Sequence, residues 1–443
     1  MQQAHLALRL LEQEARALLT RLALVKPFAL NDTMVLAASV PIPAQAAIEA
    51  YLASGRRKLA RMINGFIQWL RGGGAQRIPI SRVQRRFTYL RLKFNAVLTQ
   101  FDIFSAVMTQ RSRSEIGVWL SGLDVASADA ISIPGGYYAP PPIVCYLDRG
   151  HGAAIRRART RLPGGGENPV AIVRIPRERM VGSGIASSLV HEVGHQAAAL
   201  LDLVNSLRPV LRGFQTSPNI DRIAWQLWER WISEIVADFW SVGKIGIAST
   251  LGLMGVVSLP RVFVMRVEES DPHPTPWIRM RLSCAFGKAL YPDAQWDTLS
   301  QIWESFYPLV GLEPRHRQLF SVLEGTMPGF VNLVMSHRPA KLRGKSLREA
   351  LEVDNRQPAR LREIYRGWRQ SGHQKYSATP TLAFAVIGQA RADGEISPEQ
   401  ESAVVARLLT QWALRSSLDA SAVCASLAQA RAAVRSPELV TLN

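Results

Sequence analysis

Cysteine is scarce: Cys145, Cys284 and Cys424 are the only three in 443 residues. None belongs to a CxxC pair, and an odd number excludes a complete set of intrachain disulfides, so a reducing, cytoplasmic setting is expected. Lysine is also scarce, supplying eight of the 53 basic residues. An Arg- and Ala-heavy chain of this kind reflects genome base composition as much as partners. The net charge of +18 therefore points first to a solvated basic surface, and only second to a nucleic acid or an anionic surface. Clusters at Arg56-Arg57-Lys58, Arg82 to Arg91 and Arg156 to Arg161 lack the aromatic interleaving of a known RNA-binding pattern. Long apolar runs are missing. The N-terminus alternates apolar residues with Glu and Arg and has no signal-peptide h-region. The one candidate membrane span, Ile245 to Met265, is interrupted by Gly246, Gly252, Gly255, Pro260 and Arg261, so it reads as a buried core segment and no transmembrane span is expected.

What is present is a globular composition, 47% apolar and 20% charged, on a chain too long for one ordinary core. Ile48, Leu52, Leu59, Ile63, Phe66, Ile67 and Leu70 recur at helical steps until Gly72-Gly73-Gly74 stops them, and a second such pattern runs from Val83 to Met108. The character changes at Ile133-Pro134-Gly135-Gly136, after which Ile143 to Leu147 and Val170 to Ile175 read as strands. A helix is predicted from about Ser183 to Val204, with Ser183 or Ser187 as its cap. A loop with Pro209, Gly213 and Pro218 and a Trp-rich, largely buried helix to Val242 should follow. Beyond Ala340 the chain becomes charged before a last helical stretch. The expected class is mainly α, of α+β type, in three regions: helical 1–132, a domain with a small sheet at 133–340, and helical 341–443.

Within the predicted 183–204 helix stands His191-Glu192-Val193-Gly194-His195. Histidines four apart share one face of a helix of 3.6 residues per turn and can present two imidazoles to one ion, and the adjacent Glu192 is placed to take a proton from water activated there. Gly194 costs about 1 kcal/mol against Ala in a helix interior, which a close approach of another element would explain. Glu234-Ile235-Val236-Ala237-Asp238, on the next predicted helix, supplies two acids on one face. Glu234 would complete a Zn2+ site, and Asp238 would accept from the far nitrogen of a ligating imidazole.

HEVGH, then EIVAD, then Asp271-Pro272-His273-Pro274-Thr275-Pro276-Trp277-Ile278-Arg279 resembles the gluzincin zinc metallopeptidases of the HtpX and CAAX prenyl-protease type (peptidase family M48). The resemblance covers residues 183–282. It implies a zincin-like catalytic domain, zinc held by His191, His195 and Glu234, catalysis by Glu192 and a transition-state role for His273. Arg279 would hold the loop or pair with Asp238. It also implies a protein or peptide substrate, bound by β-augmentation along an edge strand at Val170–Ile175, with Arg174 or Arg177 favouring acidic side chains. A zincin-fold binding protein with a structural metal, and a basic nucleic-acid-binding protein, are the competing readings.

Other signals are weaker. Residues 390–401, ARADGEISPEQE, resemble TerB-like helical domains, with Asp393-Gly394 as a turn, Ser397 as a cap and a partner-binding role implied. An EF-hand registered on Gly394 would place Gln389, Arg391 and Gln400 at calcium positions, so its oxygen cage is missing. His151, His316, His337 and His373 have no second ligand at useful spacing. Trp225 to Trp240 are expected in the core, and Tyr137-Tyr138 is a minor candidate for substrate contact.

Overall fold

The structure is a computed structural model that describes residues 2–25, 34–150, 152–177, 182–216, 221–268, 270–351, 353–371 and 374–435. Pro218, His151 and His373 lie outside the described residues. The described chain is mainly α with one small sheet, as the apolar periodicities imply. It divides into two compact units. Unit one comprises residues 1–121, 157–171 and 414–443, and unit two comprises 122–156 and 172–413. The sequence boundaries at 132 and 340 both fall inside unit two.

Unit one is built on α1 (Gln2–Leu24), α2 (Ile42–Arg71) and α3 (Ile80–Met108). Each buries one stripe. Leu11, Leu18 and Leu22 of α1 meet Ile63, Phe66 and Leu70 of α2 and Val83, Phe87 and Leu90 of α3 in a single cluster. The opposite faces are exposed and charged, as amphipathic helices require.

Unit two contains most of α4 (Ser114–Ile131), then β1 (Ile143–Asp148), β2 (Ala154–Arg156) and β3 (Ala171–Pro176). The strand order is β1-β3-β2, with β2 antiparallel to β3 and Ala154 opposite Arg174. β3 is therefore the central strand. The expected edge at Val170–Ile175 is corrected: β2 closes that side, in a glycine- and arginine-rich stretch too short and polar to read as a strand. Arg174 lies 3.7 Å from Asp148 of β1.

The predicted 183–204 helix is two helices, α5 (Gly182–Leu200) and α6 (Leu203–Gly213), because Asp202 adopts a left-handed conformation at φ 55°. Pro209 lies inside α6 and not in a loop. Leu203, Leu207 and Leu211 bury one face, and that packing outweighs the lost backbone bond. Neither proposed cap acts as one: the Ser183 hydroxyl bonds Glu401 at 2.5 Å and the Ser187 hydroxyl donates to the Ser249 carbonyl at 3.0 Å.

The long helix α7 (Asp221–Ile245) stops where Gly246 turns to φ 56°, and α8 (Ile247–Val257) continues for only 11 residues. The candidate span at 245–265 is thus broken, and Ile247, Ala248 and Leu253 are buried. Trp228, Trp231 and Trp240 are core residues. Trp228 stacks on Phe330 at 4.6 Å and donates to Thr326, while Trp240 donates to the Ala130 carbonyl. The remaining helices longer than one turn are α9 (Pro276–Leu290), α10 (Gln295–Phe306), α11 (Pro314–Ser336), α12 (Pro358–Ser371), α13 (Pro380–Ala392) and α14 (Pro398–Arg435), whose residues from Leu414 on belong to unit one. Among the described residues, α11 alone is long and apolar enough to cross a membrane. It buries Phe320, Leu323, Phe330 and Val334 and packs on α7 and α9.

Candidate metal centre

α5 and α7 form the main packing pair of unit two, and Gly194 is the reason they come so close. A Cβ at that position would lie 3.0 Å from both the Cα and the carbonyl oxygen of Ala237 and 3.1 Å from Cβ of Trp240. Ala237 is one helical turn from Glu234. The missing side chain on α5 therefore lets α7 press its carboxylate against the histidine face, as the cost of a mid-helix glycine suggested.

The imidazoles of His191 and His195 stand with centroids 4.9 Å apart and planes at 86°. Nε2 of His191 is 3.3 Å from Glu234 Oε2, and Nε2 of His195 is 3.4 Å from Glu234 Oε1. These side chains are 14%, 16% and 13% exposed. Ligands bound at roughly 2.0–2.1 Å on tetrahedral corners lie roughly 3.3–3.4 Å apart, so the spacing suits a small cation. One ligand atom from each of the three side chains falls within 4.8 Å of the others. Two imidazole nitrogens and a carboxylate oxygen are the donors that zinc and neighbouring borderline divalent ions take.

Asp238 Oδ1 is 2.8 Å from His191 Nδ1, although the contact is off the line of a straight ring N–H hydrogen bond. The carboxylate thus faces Nδ1, the nitrogen far from Glu234, and leaves Nε2 directed at the Glu234 oxygens. Arg279, from the first turns of α9, grips Asp238 with both arms of its fork: Nε to Oδ2 at 2.6 Å and Nη2 to Oδ1 at 2.9 Å. Its Nη2 also comes within 3.7 Å of Glu234 Oε2.

His273 lies on the loop before α9, half exposed, with Nε2 3.4 Å from Glu234 Oε2. Asp271 holds it twice, accepting from the His273 backbone N–H at 2.9 Å and lying 2.8 Å from Nδ1. The structure thus brings together His191, His195, Glu234, Asp238, His273 and Arg279. Glu192 is buried beside them, in the electrostatic field of His191, Glu234 and Arg279. Asp271 is the functional residue that sequence reasoning gives no role; its signal is an acid two residues before a histidine in a proline-rich turn, where a short side chain accepts from the backbone N–H two residues on.

The charges are strongly coupled. Burial alone would lower His191, but Asp238 and Glu234 hold it up to about 9. Burial and the charge on His191 push His195 down to about 4. Burial raises Glu234 and Asp238, yet cationic neighbours win at both: His191, His195 and Arg279 bring Glu234 to about 2, and Arg279 and His191 hold Asp238 well below the usual carboxylate range. Glu192 moves the other way, raised chiefly by burial. Opposed shifts among neighbouring groups in one cleft make this cluster a functional-site candidate.

Several sequence candidates fall elsewhere. Tyr138 gives its hydroxyl to the Ile131 carbonyl, and Tyr137 lies under the Arg343 guanidinium at 5.6 Å. His337 bonds Ser206 at 2.8 Å, and His316 lines a recess with Arg261 and Phe263. Asp393 pairs with Arg362, and Ser397 forms a reciprocal cap with Gln400 at the start of α14. A recess of about 830 Å³ between α5, α8, α10 and the α13–α14 turn contains none of the metal-face side chains. Convergence of donors, and not volume, marks the candidate centre. Comparison with known proteins finds no matching family, no similar curated protein and no similar solved structure.

Proposed function

We propose that the chain is a zinc-dependent endopeptidase, related to the gluzincins of the HtpX type, acting on protein or peptide substrates. The observation that carries this reading is the placement of both Glu234 oxygens 3.3–3.4 Å from the two imidazoles, with Glu192 buried next to His191 on the same helix. Zinc held by His191, His195 and Glu234 would supply Lewis acidity and lower the pKa of water at the scissile carbonyl. Glu192 accepts the proton of the attacking water and passes it to the leaving amine. Its raised pKa brings the carboxylate nearer the pH at which a general base works well. His273, held by Asp271 at its backbone N–H and at Nδ1, keeps Nε2 3.4 Å from Glu234 Oε2, beside the metal face, where it can donate to the developing oxyanion. Asp238 and Arg279 position His191 and touch no substrate. A peptide adding to the sheet would pair with an outer strand, and β2, which packs on α5, is one of the two.

The deciding experiment measures bound metal and cleavage of a denatured test protein for the wild type, Glu192→Gln and His191→Ala. Zinc retained with cleavage lost in Glu192→Gln, and zinc lost in His191→Ala, is the expected result. Equal cleavage by wild type and Glu192→Gln overturns the proposal. A zinc-loaded wild type that cleaves no test protein or peptide favours a structural metal in a binding protein.

A further inference from the structure

Between Glu49 and Asp102 the chain contains no acidic residue, while residues 51–100 hold eleven Lys and Arg. No carboxylate within the segment can neutralise them. The fold makes this stretch a pair of packed helices, α2 and α3, whose apolar stripes share one core. On α3 that core takes Val83, Phe87, Leu90 and Phe94. At 100° per residue, the opposite face carries Arg82, Arg85, Tyr89 and Leu92, with Arg86 and Lys93 on its flank. The guanidinium side chains are exposed there, Tyr89 is 53% exposed and Leu92 63%.

The cations and rings on this face are arranged together. Arg86 lies over Trp69 of α2 at 4.5 Å, and Lys93 lies over Tyr89 at 5.4 Å. Arg82, Arg85, Arg86 and Tyr89 rim a recess of about 540 Å³ floored by the buried Phe66 and Leu90. In sequence the cluster matches no known RNA-binding pattern, although Phe87 and Tyr89 fall within it. The fold buries Phe87, leaves Tyr89 exposed one turn beyond Arg85 and Arg86, and adds Trp69 from the neighbouring helix.

We infer that this face of α3 is a binding site for single-stranded nucleic acid. The rim guanidiniums take successive phosphates, and a base lies in the recess against Tyr89. Guanidinium forks match phosphate geometry better than ammonium groups do, and the absence of acids across the segment removes the repulsion that a mixed-charge surface would impose. A base stacks on an exposed ring whatever its identity, so the site is tolerant of sequence. An anionic bilayer would also meet positive charge here, but it needs several side chains to insert. On this face only Leu92 is large, aliphatic and exposed, while the apolar floor of the recess, Phe66 and Leu90, is buried behind the guanidinium rim.

The test is fluorescence anisotropy of a fluorescein-labelled oligothymidylate with the full-length protein, between about 50 and 200 mM salt. Wild type is expected to bind, with affinity falling steeply as salt rises. The triple variant Arg82→Glu, Arg85→Glu, Arg86→Glu should bind at least tenfold more weakly and lose about two units of the log–log salt slope, since each phosphate contact on a single strand contributes about 0.7. Tyr89→Ala should weaken binding roughly 5- to 150-fold and leave the slope unchanged, as loss of one stacked base implies. Should charge reversal unfold unit one, seen as lost helical circular dichroism, the triple Arg→Gln variant replaces it. Glu192→Gln should bind the oligonucleotide like wild type, so failure of the peptidase reading and failure of this one remain separate.

Absence of binding at the lowest salt overturns the inference, as does wild-type affinity in the triple variant. So does competition by polyglutamate equal to that of unlabelled oligonucleotide, with Tyr89→Ala silent, because the face would then be a charge patch alone. Arg82-dependent cosedimentation with phosphatidylglycerol vesicles, without oligonucleotide binding, would assign the face to a membrane surface instead.

Discussion

Gly194 carries no side chain because α7 leaves no room for one. Gly194→Ala gains about 1 kcal/mol of helix propensity but overpacks against backbone, at a cost of about 1–3 kcal/mol. The expected net effect is a melting temperature lower by a few degrees and weaker metal retention, since Glu234 moves away with α7. A melting temperature that rises would show slack between the two helices. Asp238→Asn keeps the shape but removes the charge that faces both His191 and Arg279. Zinc affinity, read by competition with a chromophoric chelator, should fall about 10- to 100-fold, the usual effect of losing a carboxylate behind a ligating histidine. Unchanged affinity would reduce Asp238 to a partner of Arg279. At this scale His191, Glu192 and His195 were legible, because their spacing on a helix is set by covalent geometry. The choice of His191, and not His195, as the partner of Asp238 was not, because it depends on the rotation of α7 against α5.

The turn between α13 and α14 is tied down by Arg362 of α12, which reaches Asp393 at 2.9 Å and Asp293 at 2.9 Å. Although burial raises Asp293, its hydrogen bonds from Gln295 and Arg362 bring it below the usual carboxylate range. A depressed carboxyl contributes stability that is present above its unfolded pKa, about 3.9, and is lost as pH falls through the folded value. Arg362→Ala should therefore lower the urea midpoint at pH 7 and narrow the loss between pH 5 and pH 2. An equal acid loss in both proteins would mean that the pair contributes nothing. Ser397 caps α14 through the Gln400 N–H, and Ser397→Ala should cost about 1 kcal/mol by the same measurement. That cap and the Gly72–Gly74 stop after α2 could be read from local chemistry. The break at Asp202, Pro209 inside α6 and the three-residue β2 could not: Pro209 is held in the helix by the burial of Leu203, Leu207 and Leu211, and β2, with no buried residue of its own, exists through its pairing with β3.

Over the whole molecule the candidate centre joins α5, α7 and the loop before α9, so any ion bound there staples unit two. A ligand that binds only the folded state adds about 4 kcal/mol at a thousandfold excess over its Kd. Chelation should accordingly lower the melting transition of unit two, and added zinc should restore it, as read by calorimetry with and without EDTA. A transition indifferent to both would remove the metal from the account. The two-unit division places residues 341–413 with the candidate centre, because α13 packs on α7 and α8. Composition had set that stretch apart, since charge density reports exposure and not which core an element joins.

The sequence by itself determined the helical class, the facing histidines, the paired acids of α7 and the surplus of guanidinium groups. These rest on periodicity and short spacings, which survive in any packing. Only the tertiary structure decided that Glu234 faces both imidazoles, that Asp271 holds His273, that β3 is central, and that Trp69 of α2 lies under Arg86 of α3. Such placements depend on how closely two helices approach and how each is rotated, and a single glycine and a few buried rings settle both.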